Sequence, residues 1–213
     1  MKKVLVADDH SIVRLGASIV LKKLYSKVEI FNAENYDEVL YNLKAEDFEL
    51  ILLDINIPGG NNINTIKEIL VIQPNIKILV FSSYDESLYA LRYIEAGAAG
   101  FLNKNSEMSE LQNAIESIEL RGKYMSDHIK DMYIQKITQG KAAITKQNQL
   151  SKLSNREMDV AKHLVLGQGI SDVSEKMNLS PSTISTYKSR IFEKLNIENL
   201  PELIELFRLN SLV

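Results

Sequence analysis

Over the first 122 residues, short apolar runs alternate with stretches whose apolar residues recur every three or four positions. The runs predict strands at 3–7, 28–32, 50–54, 77–82 and 99–102, and the stripes between them predict helices at 11–24, 36–46, 62–72, 86–96 and 107–120. Leu50-Ile51-Leu52-Leu53 is apolar without alternation, which suits a strand buried on both faces of a parallel sheet. The first helix is expected to pack through Ile12, Leu15, Ile19 and Leu24 with Val13, Val20 and Leu21, behind His10 or Ser11 as its cap. Five such β-α units make an α/β, doubly wound, five-stranded parallel sheet. Right-handed crossovers leave few strand orders, and one of them sets the first strand beside the third.

From Leu153 onward the period is helical throughout. Ser154 or Asn155 caps a helix with Glu157 in its first turn, and Met158, Val160, Ala161, Leu164 and Val165 form its core face. Gly167-Gln168-Gly169 ends it. A short helix over 171–177 follows. A third, capped by Ser182, carries Ile184, Ile191, Phe192 and Leu195, and a fourth runs from about 201 to 209. Short helix, tight turn, helix is the arrangement whose second member enters the DNA major groove. The chain thus divides into an α/β domain at 1–122, a linker at 123–148, and an all-α four-helix domain at 149–213. Within the linker, Ile129, Met132, Tyr133 and Ile137 stripe a short helix at about 127–138, and a polar, flexible connector follows.

Charge refines this picture without deciding it. Residues 1–122 hold 12 Lys+Arg against 18 Asp+Glu, net -6, whereas 123–145 are net +2 and 146–213 net +1. A strongly basic second domain would argue nucleic acid by charge alone, and this one does not. The chain has no Cys, which excludes disulfides and thiolate metal sites and suits a cytoplasmic protein. The opening Met1-Lys2-Lys3 run meets Asp8-Asp9 far short of a signal peptide, and no stretch approaches the ~20 apolar residues of a membrane span, so no membrane partner is expected.

The chemistry lies at the strand ends. Asp8 and Asp9 follow the first strand and Asp54 ends the third; Ser82-Ser83 ends the fourth, and Asn103-Lys104 follows the fifth. Ligands of open parallel sheets bind outside these carboxyl ends. If the first and third strands are neighbours, three carboxylates converge, and like charges that close call for a cation. Mg²⁺ fits, or Mn²⁺ in its place, because such ions take carboxylate, water and phosphate oxygens.

Five residues at five separate places, in this order, resemble the receiver domain of two-component response regulators, a flavodoxin-like fold, over the whole of 1–122. The resemblance implies that Asp54 is the phosphoacceptor for a sensor histidine kinase. It implies Asp8, Asp9, Asp54 and the backbone carbonyl of Asn56 as metal ligands, Lys104 and Ser82 as partners of the phosphoryl oxygens, and Phe101 as the switch aromatic. No organic cofactor is expected, and no enzymatic turnover beyond self-phosphorylation and autodephosphorylation. Two departures stand out: Asn62 where many receivers have Gly, and Asn105 after Lys104 where Pro is usual.

In the second domain, Leu153-Ser154-Asn155-Arg156-Glu157, the Gly167 turn, Leu179-Ser180-Pro181-Ser182-Thr183-Ile184 and Lys194-Leu195 resemble the LuxR-type DNA-binding domain. Paired with a receiver, this is similar to the NarL/FixJ family, and Thr183-Ile184-Ser185-Thr186-Tyr187-Lys188 looks nearest its BvgA/EvgA branch. Expected DNA contacts are Ser182, Thr183, Ser185, Thr186, Lys188, Ser189, Arg190 and Lys194, since hydroxyls reach base edges or phosphates and Lys/Arg neutralise phosphates. Leu203, Ile204 and Phe207 are candidates for a dimer seam or for core. The expected partners are a sensor histidine kinase, double-stranded promoter DNA, RNA polymerase, and a second copy when phosphorylated. An alternative, a phosphohydrolase of the haloacid dehalogenase type, resembles Asp-x-Asp at the nucleophile, where this chain has Asn56.

Overall fold

A computed structural model describes residues 3–60, 62–138, 150 and 152–209. The chain divides into two compact units, Met1–Tyr133 and Ile134–Val213. In the first, β1 (Lys3–Ala7), β2 (Glu29–Ala33), β3 (Leu50–Leu53), β4 (Lys77–Ser82) and β5 (Gly100–Asn103) alternate with α1 (Ser11–Leu24), α2 (Tyr36–Ala45), α3 (Asn62–Ile72), α4 (Glu86–Glu95) and α5 (Met108–Arg121). The strands form one parallel sheet in the order β2-β1-β3-β4-β5. All four residues of β3 are buried, as a strand covered by helices on both faces requires.

Helix α1 has the expected bounds, and only part of its expected apolar face meets the sheet. Ala17, Val20 and Leu21 are buried with Val4, Val6, Leu50 and Ile115, whereas Ile12, Leu15 and Ile19 are exposed. The helix carries two apolar stripes, and the stripe with the smaller Ala17 is the one in the core. His10 is the N-cap residue, yet its side chain makes no cap bond. After the Asp54 turn, left-handed φ falls on Gly59 at +82°, and Asn62 opens α3.

The segment after α5 lies along β5. The Tyr124 N–H donates to the Ala99 carbonyl at 2.8 Å, and the Tyr124 hydroxyl donates to Glu110 at 2.5 Å. The first unit therefore continues past the expected boundary at 122. Gly100 permits this approach, since a Cβ there would stand 2.9 Å from the Tyr124 carbonyl oxygen. Helix α6 (Asp127–Thr138) buries Ile129, while Tyr133, Ile134 and Ile137 are exposed. The connector expected after it lies outside the described residues.

The second unit contains α7 (Asn155–Val165), α8 (Ile170–Met177), α9 (Pro181–Leu195) and α10 (Leu200–Leu209). Ser154 and Glu157 form a reciprocal capping box on α7: each side chain takes the other residue's N–H, at 3.3 and 2.7 Å. Helix α8 ends on Asn178 and α9 on Asn196, both left-handed at φ +53°. The cap of α9 is Ser180 rather than Ser182. Pro181 takes the first helical position, where a missing N–H costs nothing, so the Ser180 hydroxyl accepts the Thr183 N–H at 3.1 Å. Ile184, Ile191 and Leu195 face the core with Leu203 and Phe207 of α10, which are fully buried and so belong to the core of the unit. No described helix is long and apolar enough to cross a membrane.

Candidate functional site

Strand pairing builds the acid site. Ala7 stands opposite Leu53 in β1 and β3, so the next residues, Asp8 and Asp54, emerge side by side at the carboxyl edge. The Asp54 N–H donates to the Ala7 carbonyl at 2.8 Å and the Asp8 N–H to the Ala33 carbonyl at 3.0 Å, which fixes both backbones. Both side chains are buried, whereas that of Asp9 is 36% exposed. On the far side Ser82 pairs with Asn103, and the Lys104 N–H donates to the Ser82 carbonyl at 2.8 Å.

From there the Lys104 side chain crosses to the carboxylates. Its Nζ lies 2.6 Å from Asp8 Oδ2 and 2.8 Å from Asp54 Oδ2. Burial disfavours the ammonium, but hydrogen bonds and attraction to Asp54 and Asp8 outweigh it and hold its pKa above the ordinary lysine value. Three carboxylates against one ammonium leave a formal charge of two negatives, on hard oxygen donors. That donor set fits a divalent cation of the Mg²⁺ kind. Donor atoms from Asp8, Asp9, His10 and Asp54 all lie within 4.8 Å of one another.

Around this centre, Ser82 is buried and its Oγ faces the Tyr84 N–H at 3.4 Å. Phe101 is buried too, its ring centroid 6.3 Å from that of Tyr93. The Asn56 N–H donates to Asp54 Oδ1 at 3.0 Å, and its side-chain oxygen faces the Tyr84 hydroxyl at 3.4 Å.

The receiver domain of response regulators matches residues 4–116, and the luxR family of bacterial regulatory proteins matches residues 151–207. The chain belongs to the response regulators. The regulator is similar to the Fimbriae Z protein of Escherichia coli K12, at 30% identity over 99% of this chain and 98% of that one. It is also similar to the response regulator GacA of Pseudomonas protegens, at 33% identity over 95% of this chain and 93% of the other. Among solved structures, the RcsB response regulator of Salmonella typhimurium shares its fold, with a TM-score of 0.58 at 22% identity over 97% of this chain and 98% of that one. An RcsB–DNA complex does so at 0.58 and 24%, covering 100% and 98%. The regulator is therefore a receiver joined to a LuxR-type DNA-binding domain.

On α9, Ser182, Ser185, Thr186, Ser189 and Arg190 are exposed, and Thr183 and Lys188 are half-buried. Ser182, Thr183, Thr186, Tyr187 and Arg190 line a shallow depression. Lys188 lies over the Phe192 ring, 5.5 Å from its centroid. Lys194 is engaged elsewhere than expected. Its Nζ lies 2.7 Å from Glu157 Oε2, a buried carboxylate on α7, so it ties two helices together. Burial pushes the Glu157 carboxyl up, but bonds from Lys194 and Ser154 prevail and hold it below the usual glutamate range.

Three contributors escaped sequence reasoning. His10 turns its ring onto the acids, a placement its position directly after Asp8-Asp9 could have suggested. Arg14, six residues beyond Asp8, donates to the Asp8 carbonyl at 2.7 Å and pairs with Glu34 beyond β2, with no motif to flag it. Tyr187 enters the α9 depression between two residues already singled out.

Proposed function

We propose that Asp54 is the phosphoacceptor of this regulator. One of its carboxylate oxygens attacks the phosphorus of a phosphohistidine on a sensor kinase; the O–P bond forms, the N–P bond breaks, and its electron pair stays on the imidazole. The observation that carries this reading is Lys104 Nζ, 2.8 Å from Asp54 Oδ2 and 2.6 Å from Asp8 Oδ2, an ammonium already seated where phosphoryl oxygens would arrive. Lys104 then exchanges a carboxylate for a phosphoryl oxygen, and the Ser82 hydroxyl donates to another. Asp8, Asp9, Asp54 and the Asn56 carbonyl are the groups that would hold Mg²⁺ or Mn²⁺, which when bound offsets the charge between phosphoryl oxygens and carboxylates.

The output is promoter binding by α9 with Ser182, Thr183, Ser185, Thr186, Lys188, Ser189 and Arg190, strengthened by dimerisation of the phosphorylated receiver, and contact with RNA polymerase at the promoter. Phe101 relays the change as Ser82 moves toward the phosphoryl group. Moving the receiver from 1:99 to 99:1 requires about 5.5 kcal/mol of preference for the active state. Charge-assisted hydrogen bonds to a new dianion are of the kind that supplies it. The RcsB–DNA complex supports the DNA half of this reading by analogy.

The test is incubation of full-length protein with acetyl phosphate and Mg²⁺, followed by intact mass and gel filtration. The wild type is expected to gain one phosphoryl group and to shift toward a dimer. Asp54→Asn is expected to do neither; an Asp54→Asn protein that labels and dimerises like the wild type refutes the assignment.

A further inference from the structure

We infer that residues 123–129 form a strap that favours the unphosphorylated receiver and is let go when Asp54 is phosphorylated, so that the first turn of α6 responds to the charge on that carboxylate. The inference rests on reading Asp54 as the phosphoacceptor, with Ser82 and Lys104 as partners of the phosphoryl oxygens. It starts from the path of the chain. Strand β5 is the last of the sheet; α5 packs beside α1, and α4 packs beside α3 on the opposite face. Leaving α5, the chain passes round β5 to α4 and is tied at each stage. On α5, the Ser117 hydroxyl donates to the Lys123 carbonyl at 2.9 Å and the Tyr124 hydroxyl to Glu110 Oε1 at 2.5 Å. At β5, the Tyr124 N–H donates to the Ala99 carbonyl at 2.8 Å. On α4, the Ser126 hydroxyl donates to Glu86 Oε1 at 2.7 Å. Ile129 is buried at the end of this path.

The anchors are not scattered. Glu86 lies four residues beyond Ser82, Glu110 six beyond Lys104, and Ala99 two before Phe101. Each tie thus ends close to a residue that a phosphoryl group would draw. The turn before α4 is also joined to the end of β5, since the Asn103 side-chain amide donates to the Tyr84 carbonyl at 2.8 Å. Asp54 follows β3, on the far side of β4 from β5. A pull on Ser82 and Lys104 toward it therefore carries Glu86 and Glu110 away from the edge the strap follows. Hydrogen bonds of this length are lost once stretched by about 1 Å.

Ser126 turns the loss of one bond into a change in a helix. Its hydroxyl has a single proton, committed to Glu86, which leaves its lone pairs to take the Ile129 N–H at 3.3 Å in the first turn of α6. Its carbonyl accepts the Lys130 N–H at 3.0 Å. Without Glu86 the hydroxyl has no fixed orientation, and the cap of α6 weakens. Helix α6 continues to Thr138, beyond Tyr133 where the first unit ends. The strap therefore stands where the receiver hands the chain on.

The test uses full-length protein with beryllium fluoride and Mg²⁺, the beryllofluoride anion standing in for a phosphoryl group on the carboxylate. Hydrogen exchange is read over 123–130, with α2, at the other end of the sheet, as reference. In wild type the strap amides are expected to exchange about fivefold faster or more once the anion is bound, while α2 does not speed up. Linkage requires the converse, that a looser strap binds the anion more tightly. Tyr124→Phe keeps the ring and removes the tie to Glu110; Glu86→Ala removes the tie to Ser126. Each is expected to exchange faster over 123–130 without the anion and to bind beryllofluoride about twofold to fivefold more tightly, read from bound fluoride by ¹⁹F NMR. Circular dichroism checks that both variants are folded. Wild-type strap amides that do not respond, or folded variants that bind with wild-type affinity, overturn the strap and leave the phosphoacceptor reading standing. Beryllofluoride that does not bind wild type, or that binds Asp54→Asn equally well, overturns both.

Discussion

Lys194 and Arg190 lie four residues apart on α9, both cationic, and the structure gives them different surroundings. Lys194 pairs with Glu157, whose side chain is 4% exposed while that of Lys194 is 42% exposed. Replacing Lys194 with Met leaves a buried carboxylate that keeps the Ser154 N–H at 2.7 Å. Breaking a fully buried pair costs ~3–5 kcal/mol; a half-exposed lysine and a retained N–H bring the expected loss to about 1–2 kcal/mol. The DNA readout should separate the two residues. Each phosphate neutralised contributes about -0.9 to the slope of log affinity against log salt, so losing one contact softens a fourfold change in salt by about 3.5-fold. Arg190→Ala is expected to lose that slope with stability unchanged within about 0.5 kcal/mol. Lys194→Met is expected to keep the slope and unfold at lower urea. The measurements are fluorescence anisotropy of a labelled random-sequence duplex from 50 to 200 mM salt, and urea unfolding followed by circular dichroism, both on the full chain. A Lys194→Met protein that loses slope and keeps its stability refutes the pairing and restores Lys194 as a phosphate contact.

Other outcomes follow from the same contacts. Gly100→Ala puts a Cβ 2.9 Å from the Tyr124 carbonyl oxygen and 3.1 Å from its Cβ, so the receiver should lose about 1–3 kcal/mol in urea unfolding, with Tyr124 lifted off β5 and its amide exchanging faster. Leu21→Ala should cost about 2–5 kcal/mol, whereas Ile12→Gln should stay within about 0.5 kcal/mol; equal losses would mean that α1 packs through its other stripe. Glu157 has its folded pKa below its unfolded one, so its contribution is complete above the unfolded value of ~4.3 and disappears as pH falls through the folded value. Urea midpoints of the wild type should therefore fall between about pH 5 and 3 more steeply than those of Glu157→Gln, and parallel curves would refute the pairing.

The acid site was readable because strand pairing does the positioning. Asp8 and Asp54 each follow the last residue of a buried strand, so once β1 and β3 are neighbours their carboxylates meet whatever the loops do. Lys104 follows from the same register, one residue beyond the Ser82 and Asn103 pair. What escaped depends on choices a one-dimensional pattern leaves open. The wide apolar face expected of helix α1 holds Ile12, Leu15 and Ile19 as well as Val20 and Leu21; the pattern does not rank them, and the sheet buries only the last two, with the small Ala17 beside them. Ser180 and Ser182 can each cap α9, and the tie is broken by Pro181, which cannot donate an N–H and so belongs at the first helical position.

Lys194 shows the deeper limit. A cation on the exposed side of a recognition helix suits phosphate. Its partner lies 37 residues upstream, in the first turn of α7, where a carboxylate also complements the helix dipole. The capping box explains why that carboxylate is buried at all. Taking the Ser154 N–H pulls the Glu157 side chain back over the helix start, where one oxygen, Oε2, meets both that N–H and the Lys194 ammonium. The cap therefore orients the charge, and the charge then holds Lys194 against α7. A local signal that sequence does carry, Ser154 three residues before Glu157, decides a long-range pairing that sequence does not show. Where this cation of α9 sits is set as much by the turn before α7 as by α9 itself.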